Sequence, residues 1–257
     1  MPKLEFVLDE GLIVNRKWLK QKGFSRTAID YFLRSGRLKP IYTGFYRKPG
    51  PPLKWQNIIY SFSKMGYHLH VGHLSALNFQ GFQQFIDFKM KVDIFIYSDN
   101  KFPNWPNSIV KNGFMRQLSR NPFPEYYDNG LIDIPFGTWD WPIKYSSPER
   151  AFIEYFSTLS SKEEIEIALL MMESAFNFRP ELIQDLLMNC KQVKAKRLFL
   201  WMGKKINHNW YDYIDQKRIN TGSGKRQIIK GGALDKDFLI TVPKEDESSK
   251  EQNILLS

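Results

Sequence analysis

The apolar positions change period along the chain, and the changes mark elements. Ile13, Trp18 and Leu19 sit at helical spacing and Gly23 follows as a stop, so a helix is predicted over 12–22. Ser25 is a residue type that caps helix starts, and a second helix is expected from Arg26 to about Ser35, before Gly36. Ala28, Ile29, Phe32 and Leu33 form its apolar stripe, while Arg26, Thr27, Asp30, Tyr31 and Arg34 lie mostly off it. After Gly36 the spacing shortens. Leu38, Ile41, Tyr42, Phe45 and Tyr46 predict two short strands around a turn at Thr43-Gly44. Pro49-Gly50-Pro51-Pro52 then ends the segment, because neither helix nor sheet tolerates it.

Beyond it, a helix is expected over 54–65 and another over 74–79. Strands are expected over 91–97, 113–119 and 130–134. Ser147-Pro148-Glu149 reads as a helix start, with a capping serine, proline in the first turn and an acid at the positive end. Further helices are expected over 163–174, 180–190 and 194–202. The fold class is therefore α+β. The division expected is a small domain over 1–54, a mixed α/β domain over 55–243 and a flexible charged tail over 244–257.

Charge sharpens this division. Residues 1–54 hold twelve Lys/Arg against four Asp/Glu, residues 55–185 eleven against fifteen, and residues 186–230 eleven against two. Two basic zones flank an acidic middle, a distribution that points to a polyanionic partner. No stretch approaches the roughly eighteen unbroken apolar residues of a membrane span, and the opening residues do not resemble a signal peptide. Cys190 is the only cysteine, which rules out a disulfide scaffold and fits a reducing cytoplasm.

A helix, a glycine turn, a capped second helix and a two-stranded wing form the winged helix-turn-helix arrangement. Its second helix faces the major groove of DNA. Arg26 and Arg34 suit guanine edges or phosphates. Ser25 and Thr27 sit where helix amides attract phosphate. Asp30 and Tyr31 share that outer face, and Lys39, Thr43, Arg47 and Lys48 on the wing suit phosphate contacts. A second basic surface is expected from Lys194, Lys196, Arg197, Lys204, Lys205, Lys225 and Arg226.

Other features support chemistry less well. His68, His70 and His73 have no acidic or cysteine ligand alongside in sequence, so core and turn roles are expected and no metal. Cys190 has no evident activating neighbour, so a small buried residue is expected. Thr221-Gly222-Ser223-Gly224-Lys225-Arg226 lacks the spacing and hydroxyl of a nucleotide-binding P-loop. It reads instead as a glycine turn offering cations to an anion. No cofactor is expected. An enzyme acting on nucleic acid or nucleotides is the alternative reading, but its candidate acids Asp87, Asp93 and Asp133 have no recognised spacing.

The ordered motifs resemble one family. They run from Trp18-Leu19, Gly23-Phe24-Ser25, Tyr31, Arg34-Ser35-Gly36, Leu38 and Gly44-x-Tyr46 to His70-Val71-Gly72-His73-Leu74-Ser75-Ala76-Leu77 and Phe102-Pro103-Asn104-Trp105. They continue through Ser147-Pro148-Glu149-Arg150-Ala151, Arg179-Pro180, Leu186-Leu187, Cys190, and Lys194-x-Lys196-Arg197-Leu198-Phe199-Leu200-Trp201. Gly222-x-Gly224-Lys225-Arg226 and Thr241-Val242-Pro243 close the set. Together they resemble the AbiEi antitoxins of type IV, abortive-infection toxin–antitoxin systems. Two departures stand out: His73 where the family often has glycine, and Phe102 where it has leucine. The resemblance implies a winged helix that represses its own operon on double-stranded operator DNA with inverted repeats. It also implies an antitoxin part that counters a nucleotidyltransferase-like toxin without a stable direct complex. It implies a cytoplasmic, non-enzymatic protein of phage defence.

Overall fold

The computed structural model describes residues 2–82 and 92–244. Asp87 and nearly all of the charged tail lie outside the described residues. The architecture is α+β and divides into two compact units. One holds residues 2–76, 92–120 and 131–146; the other holds 77–82, 121–130 and 147–244.

The first unit opens with α1 (Leu4–Val7), β1 (Ile13–Asn15), α2 (Arg16–Gln21), α3 (Arg26–Arg34), β2 (Lys39–Tyr42) and β3 (Phe45–Arg47). The helix expected over 12–22 is thus shorter, with a strand before it. Asn15 decides the boundary, because its side chain accepts the Trp18 amide at 2.8 Å and starts α2 there. Ile13 and Val14 are β-branched and fully buried, and they pair antiparallel with Arg47 and Tyr46 of β3. Ser25 caps α3 as expected, accepting the Ala28 amide at 3.2 Å, worth about 1 kcal/mol. Ala28, Ile29 and Phe32 of α3 are buried, and Phe32 meets Phe24 edge to face at 5.7 Å. The small sheet runs β1-β3-β2. Pro40 lies in the edge strand β2, beside an irregularity in the β2–β3 register.

Helix α4 (Trp55–Lys64) is apolar on several sides, and Trp55, Ile58, Ile59, Tyr60 and Phe62 are all buried. Its Ser61 hydroxyl accepts the Ile13 amide of β1 at 2.8 Å and donates to the Asn57 carbonyl at 2.6 Å. The winged segment and α4 therefore share one core. There follow β4 (Leu69–Val71), α5 (His73–Phe79), β5 (Val92–Ser98), α6 (Pro106–Ile109), β6 (Gly113–Gln117), β7 (Leu131–Phe136) and β8 (Trp141–Ser146). The strands form a mixed sheet in the order β6-β5-β4-β8-β7. β4 runs antiparallel to β5 and parallel to β8, and β5 runs parallel to β6. Gly113 permits the close approach of β6 to α4, since a Cβ there would lie 2.8 Å from the Trp55 ring. Strand β8 has no counterpart among the sequence expectations.

The second unit is mainly helical: α7 (Pro148–Phe156), α8 (Lys162–Glu173), α9 (Pro180–Asn189), α10 (Val193–Ile206), two 3-10 turns, then β9 (Ala233–Asp235) and β10 (Ile240–Val242). The helix expected over 194–202 runs a full turn further, to a left-handed cap at Asn207. Phe152, Phe156, Phe178, Phe199 and Trp210 form an aromatic core, with Phe199 5.4 Å from Trp210. Ser147 occupies the position before α7, but its hydroxyl makes no capping bond. Instead its amide donates to the Gly130 carbonyl at 2.7 Å.

Arg150 is 1% exposed. It pairs with Glu154 at 3.0 Å and donates to the carbonyls of Tyr127 and Asn129 at 2.7 and 2.8 Å. Glu149, also buried, accepts from Nε and Nη2 of Arg179 at 2.8 and 3.0 Å. The Ser-Pro-Glu-Arg-Ala segment is accordingly a structural clamp. Burial opposes ionisation of Glu149, but the hydrogen bonds from Arg179 outweigh it and hold the carboxyl below the usual carboxylate range.

Two outcomes follow. Ser61→Ala leaves the Ile13 amide buried without its acceptor and should cost about 1–3 kcal/mol in urea unfolding at constant m. The depressed Glu149 carboxyl means its stabilisation is present above the usual carboxylate range and lost as pH falls through its folded value. Glu149→Gln should therefore lower stability at neutral pH and flatten the acid limb of a Tm-against-pH profile. An unchanged acid limb would rule out this assignment.

Candidate nucleic-acid interface

The core side of α3 fixes which residues face outward. Arg26 has a side chain 83% exposed, Tyr31 is 54% exposed, and Thr27 and Arg34 are exposed as well. Ser25 is exposed, but its hydroxyl is occupied in the cap. Asp30 is the exception on this face. Its carboxylate takes Arg16 Nη2 at 2.7 Å and lies 3.9 Å from Arg26 Nε. Arg16 in turn donates from Nε to the Tyr46 hydroxyl at 3.0 Å. One cation thereby links the start of α2, the middle of α3 and strand β3. The bond to Asp30 raises the Arg16 pKa.

On the wing, Lys39 and Thr43 are exposed and Lys48 is half-buried. Arg47 turns back on its own chain, donating to the carbonyls of Gly50 and Pro51 at 2.6 and 2.8 Å. Tyr42, half-exposed, stacks on Trp105 at 4.9 Å with planes 4° apart, and Phe45 packs 4.8 Å from the same indole. The wing is therefore braced by the loop before α6. Sequence reasoning placed neither Arg16 nor this stack. Exposed Lys17, Lys20 and Lys22 on and after α2 add charge to the unit and were also not singled out.

The second basic surface is not assembled as expected. Lys196 and Arg197 are 4% and 2% exposed, and burial lowers the pKa of both. They are interior residues because α10 is buried almost throughout its length. Lys194 is half-buried and donates to the Leu159 carbonyl at 2.8 Å. Lys204 pairs with Asp237, and the Lys205 ammonium lies 5.8 Å from the Trp201 ring. Lys225 and Arg226 remain on an exposed loop.

Two of the acids weighed for catalysis, Asp93 and Asp133, serve as ion-pair partners, and Asp87 lies outside the described residues. Asp93 meets Arg116 at 3.0 Å, and Asp133 faces its register partner Lys144 at 3.8 Å. His68 bonds Asp99 at 2.6 Å, an acid the local sequence did not place beside it. Among the described residues no group of three His, Cys, Asp or Glu is placed to hold a metal, and no helix is long and apolar enough to cross a membrane. Cys190 is buried, and burial pushes its thiol up to about 11.

The first unit thus carries a winged helix whose second helix turns arginines outward, an arrangement found among DNA-binding proteins. Family models place the chain further. The AbiEi antitoxin N-terminal domain, described as a transcriptional regulator, matches residues 2–88. The AbiEi antitoxin and transcriptional regulator of type IV toxin–antitoxin systems matches residues 89–243. The chain belongs to this antitoxin family. No curated protein matches it. Among solved structures, the RV2827C protein from Mycobacterium tuberculosis is similar in fold, with a TM-score of 0.53 at 10% identity over 96% of this chain and 90% of that one. The two departures from the family pattern have local explanations. His73 adopts a left-handed φ of 58°, a conformation glycine takes freely. Phe102 is buried 4.8 Å from the Phe62 ring.

Trp105→Ala should release the wing while sparing α3. Amide exchange at Tyr42 and Phe45 is expected to accelerate, with global stability lower by about 1 kcal/mol. Unchanged exchange in β2 and β3 would show that the stack does not brace the wing.

Proposed function

We propose that this antitoxin represses its own operon through the winged helix and separately counters a nucleotidyltransferase-like toxin, without a stable direct complex, in the cytoplasm. The observation that supports DNA reading is the two-faced α3. Ala28, Ile29 and Phe32 of its apolar stripe are buried and Leu33 half-buried, while Arg26, Thr27, Tyr31 and Arg34 project from it. These four are the proposed reading residues, on double-stranded operator DNA with inverted repeats. Ser25 offers its helix start to a phosphate. Lys39, Thr43 and Lys48 position the wing on the backbone. Asp30 and Arg47 act as supports, the first holding Arg16 and the second fixing residues 50 and 51. Compensation of Asp30 by Arg16 and Arg26 removes an acid that would otherwise repel phosphate.

In this reading residues 1–54 carry the DNA-reading elements and residues 55–243 the antitoxin action. The shared core with α4 means that the 1–54 segment reads DNA as part of the larger first unit.

Titration of the protein with its own upstream DNA tests the repressor role. Arg26→Ala and Arg34→Ala should each cost about 1–3 kcal/mol of operator binding if they read bases. Lys39→Ala should weaken all sequences alike and reduce the salt slope by about one. Absence of operator binding at low salt would overturn the repressor reading. Co-expression with the proposed nucleotidyltransferase-like toxin tests the other role. The double arginine variant should still restore growth, because neutralisation does not use α3.

A further inference from the structure

Residues 220–226 form an exposed loop in the second unit, yet its backbone is gripped from within. Arg197 on α10 donates from Nε to the Thr221 carbonyl at 2.8 Å and from Nη2 to Gly222 at 3.0 Å. Its Nη1 donates to Gly224 at 2.7 Å and to Leu239 at 3.1 Å. Among the described residues no carboxylate pairs with this buried guanidinium, so carbonyl dipoles alone partner its charge.

The grip sets the direction of the loop amides. A trans peptide points its N–H opposite to its C=O, and no cis peptide is present among the described residues. Drawing the carbonyls of residues 221, 222 and 224 inward turns the amides of residues 222, 223 and 225 outward. The Gly222 amide is taken by the Asn220 side chain at 2.9 Å. Those of Ser223 and Lys225 have no protein acceptor among the described residues. Gly222 and Gly224 have φ values of +65° and +76°, which make this path available, and the space a Cβ would take at Gly224 is open. Lys225 and Arg226 are exposed on the same loop and make no ion pair among the described residues. The loop thus joins two outward amides and two surface cations above a third, buried cation. Backbone amides gathered this way favour an anion.

We propose that loop 220–226 is a phosphate-binding site whose amides are aimed by Arg197. Ser223 and Lys225 amides bind phosphate oxygens, and the Lys225 and Arg226 side chains neutralise its charge. Arg197 is a positioning residue and does not touch the ligand. The phosphate belongs either to a nucleic-acid backbone or to a free nucleotide. The site lies in the second unit and does not depend on the operator reading of α3.

Amide resonances of the full chain report on the site during titration with inorganic phosphate against chloride at constant ionic strength. Ser223 and Lys225 should shift and saturate. The Lys225→Ala/Arg226→Ala variant should bind about tenfold more weakly or worse. Gly224→Ala strains the loop at positive φ without disturbing α10 and should abolish the shifts. Arg197→Met should do the same while leaving α3 resonances in place. If it does not fold, Gly224→Ala carries the test. A non-operator duplex, titrated into the Arg26→Ala/Arg34→Ala background, identifies the source. Shifts at the same residues that phosphate competes away assign the site to nucleic acid. Shifts with phosphate and nucleoside triphosphates alone assign it to a free nucleotide. No response of Ser223 and Lys225 to any of these probes, or equal binding by the Lys225→Ala/Arg226→Ala variant, would overturn the proposal.

Discussion

A buried backbone amide or carbonyl must find a partner, and leaving one unmatched costs about 1–3 kcal/mol. In this chain side chains on helices repeatedly supply that partner to distant segments. Ser61 of α4 serves the amide of Ile13. Arg150 of α7 serves two carbonyls of the 121–130 loop. Arg197 of α10 serves four carbonyls from two segments. Each polar bond ties a helix side chain to a backbone group of a segment distant in sequence. The helices that carry these groups must therefore bury charge or hydroxyl, which explains why α7 and α10 contain fully buried arginines within apolar surroundings.

The same logic shapes the first unit. Helix α3 can show arginines to solvent because its other face is held in a core that extends past the wing into α4. Arg16 sets the angle among α2, α3 and β3 through one carboxylate and one phenol. The wing is also held by the Trp105 indole, which follows β5 in the chain. The outward face of α3 is therefore borne by a scaffold much larger than the winged segment itself.

Much of this was legible in the sequence where local chemistry is decisive. The Ser25 cap, the α3 stripe and the Thr43-Gly44 turn are short-range features, and they stand where the spacing put them. The start of the chain misled because Ile13 fits a helical stripe with Trp18 and Leu19 as well as a strand; its pairing partner, Arg47, lies far along the chain. Strand β8 escaped notice because Pro142 and Lys144 break its apolar run, while its register comes from β7 and β4. The basic stretch of α10 misled for a related reason. Charge along a sequence does not reveal which cations are drawn inward, and the acceptors of Arg197 are backbone carbonyls that leave no signature in residue type.

Pro40 on the outer strand of the wing has a consequence for how two copies can meet. A short edge carrying a proline, a neighbouring lysine and a register irregularity is a poor template for another strand. The small sheet therefore ends at β2 and cannot readily be continued by the wing of a second molecule. Two copies brought side by side would therefore remain separate at their wings, and any contact between them would have to use other surfaces of the protein.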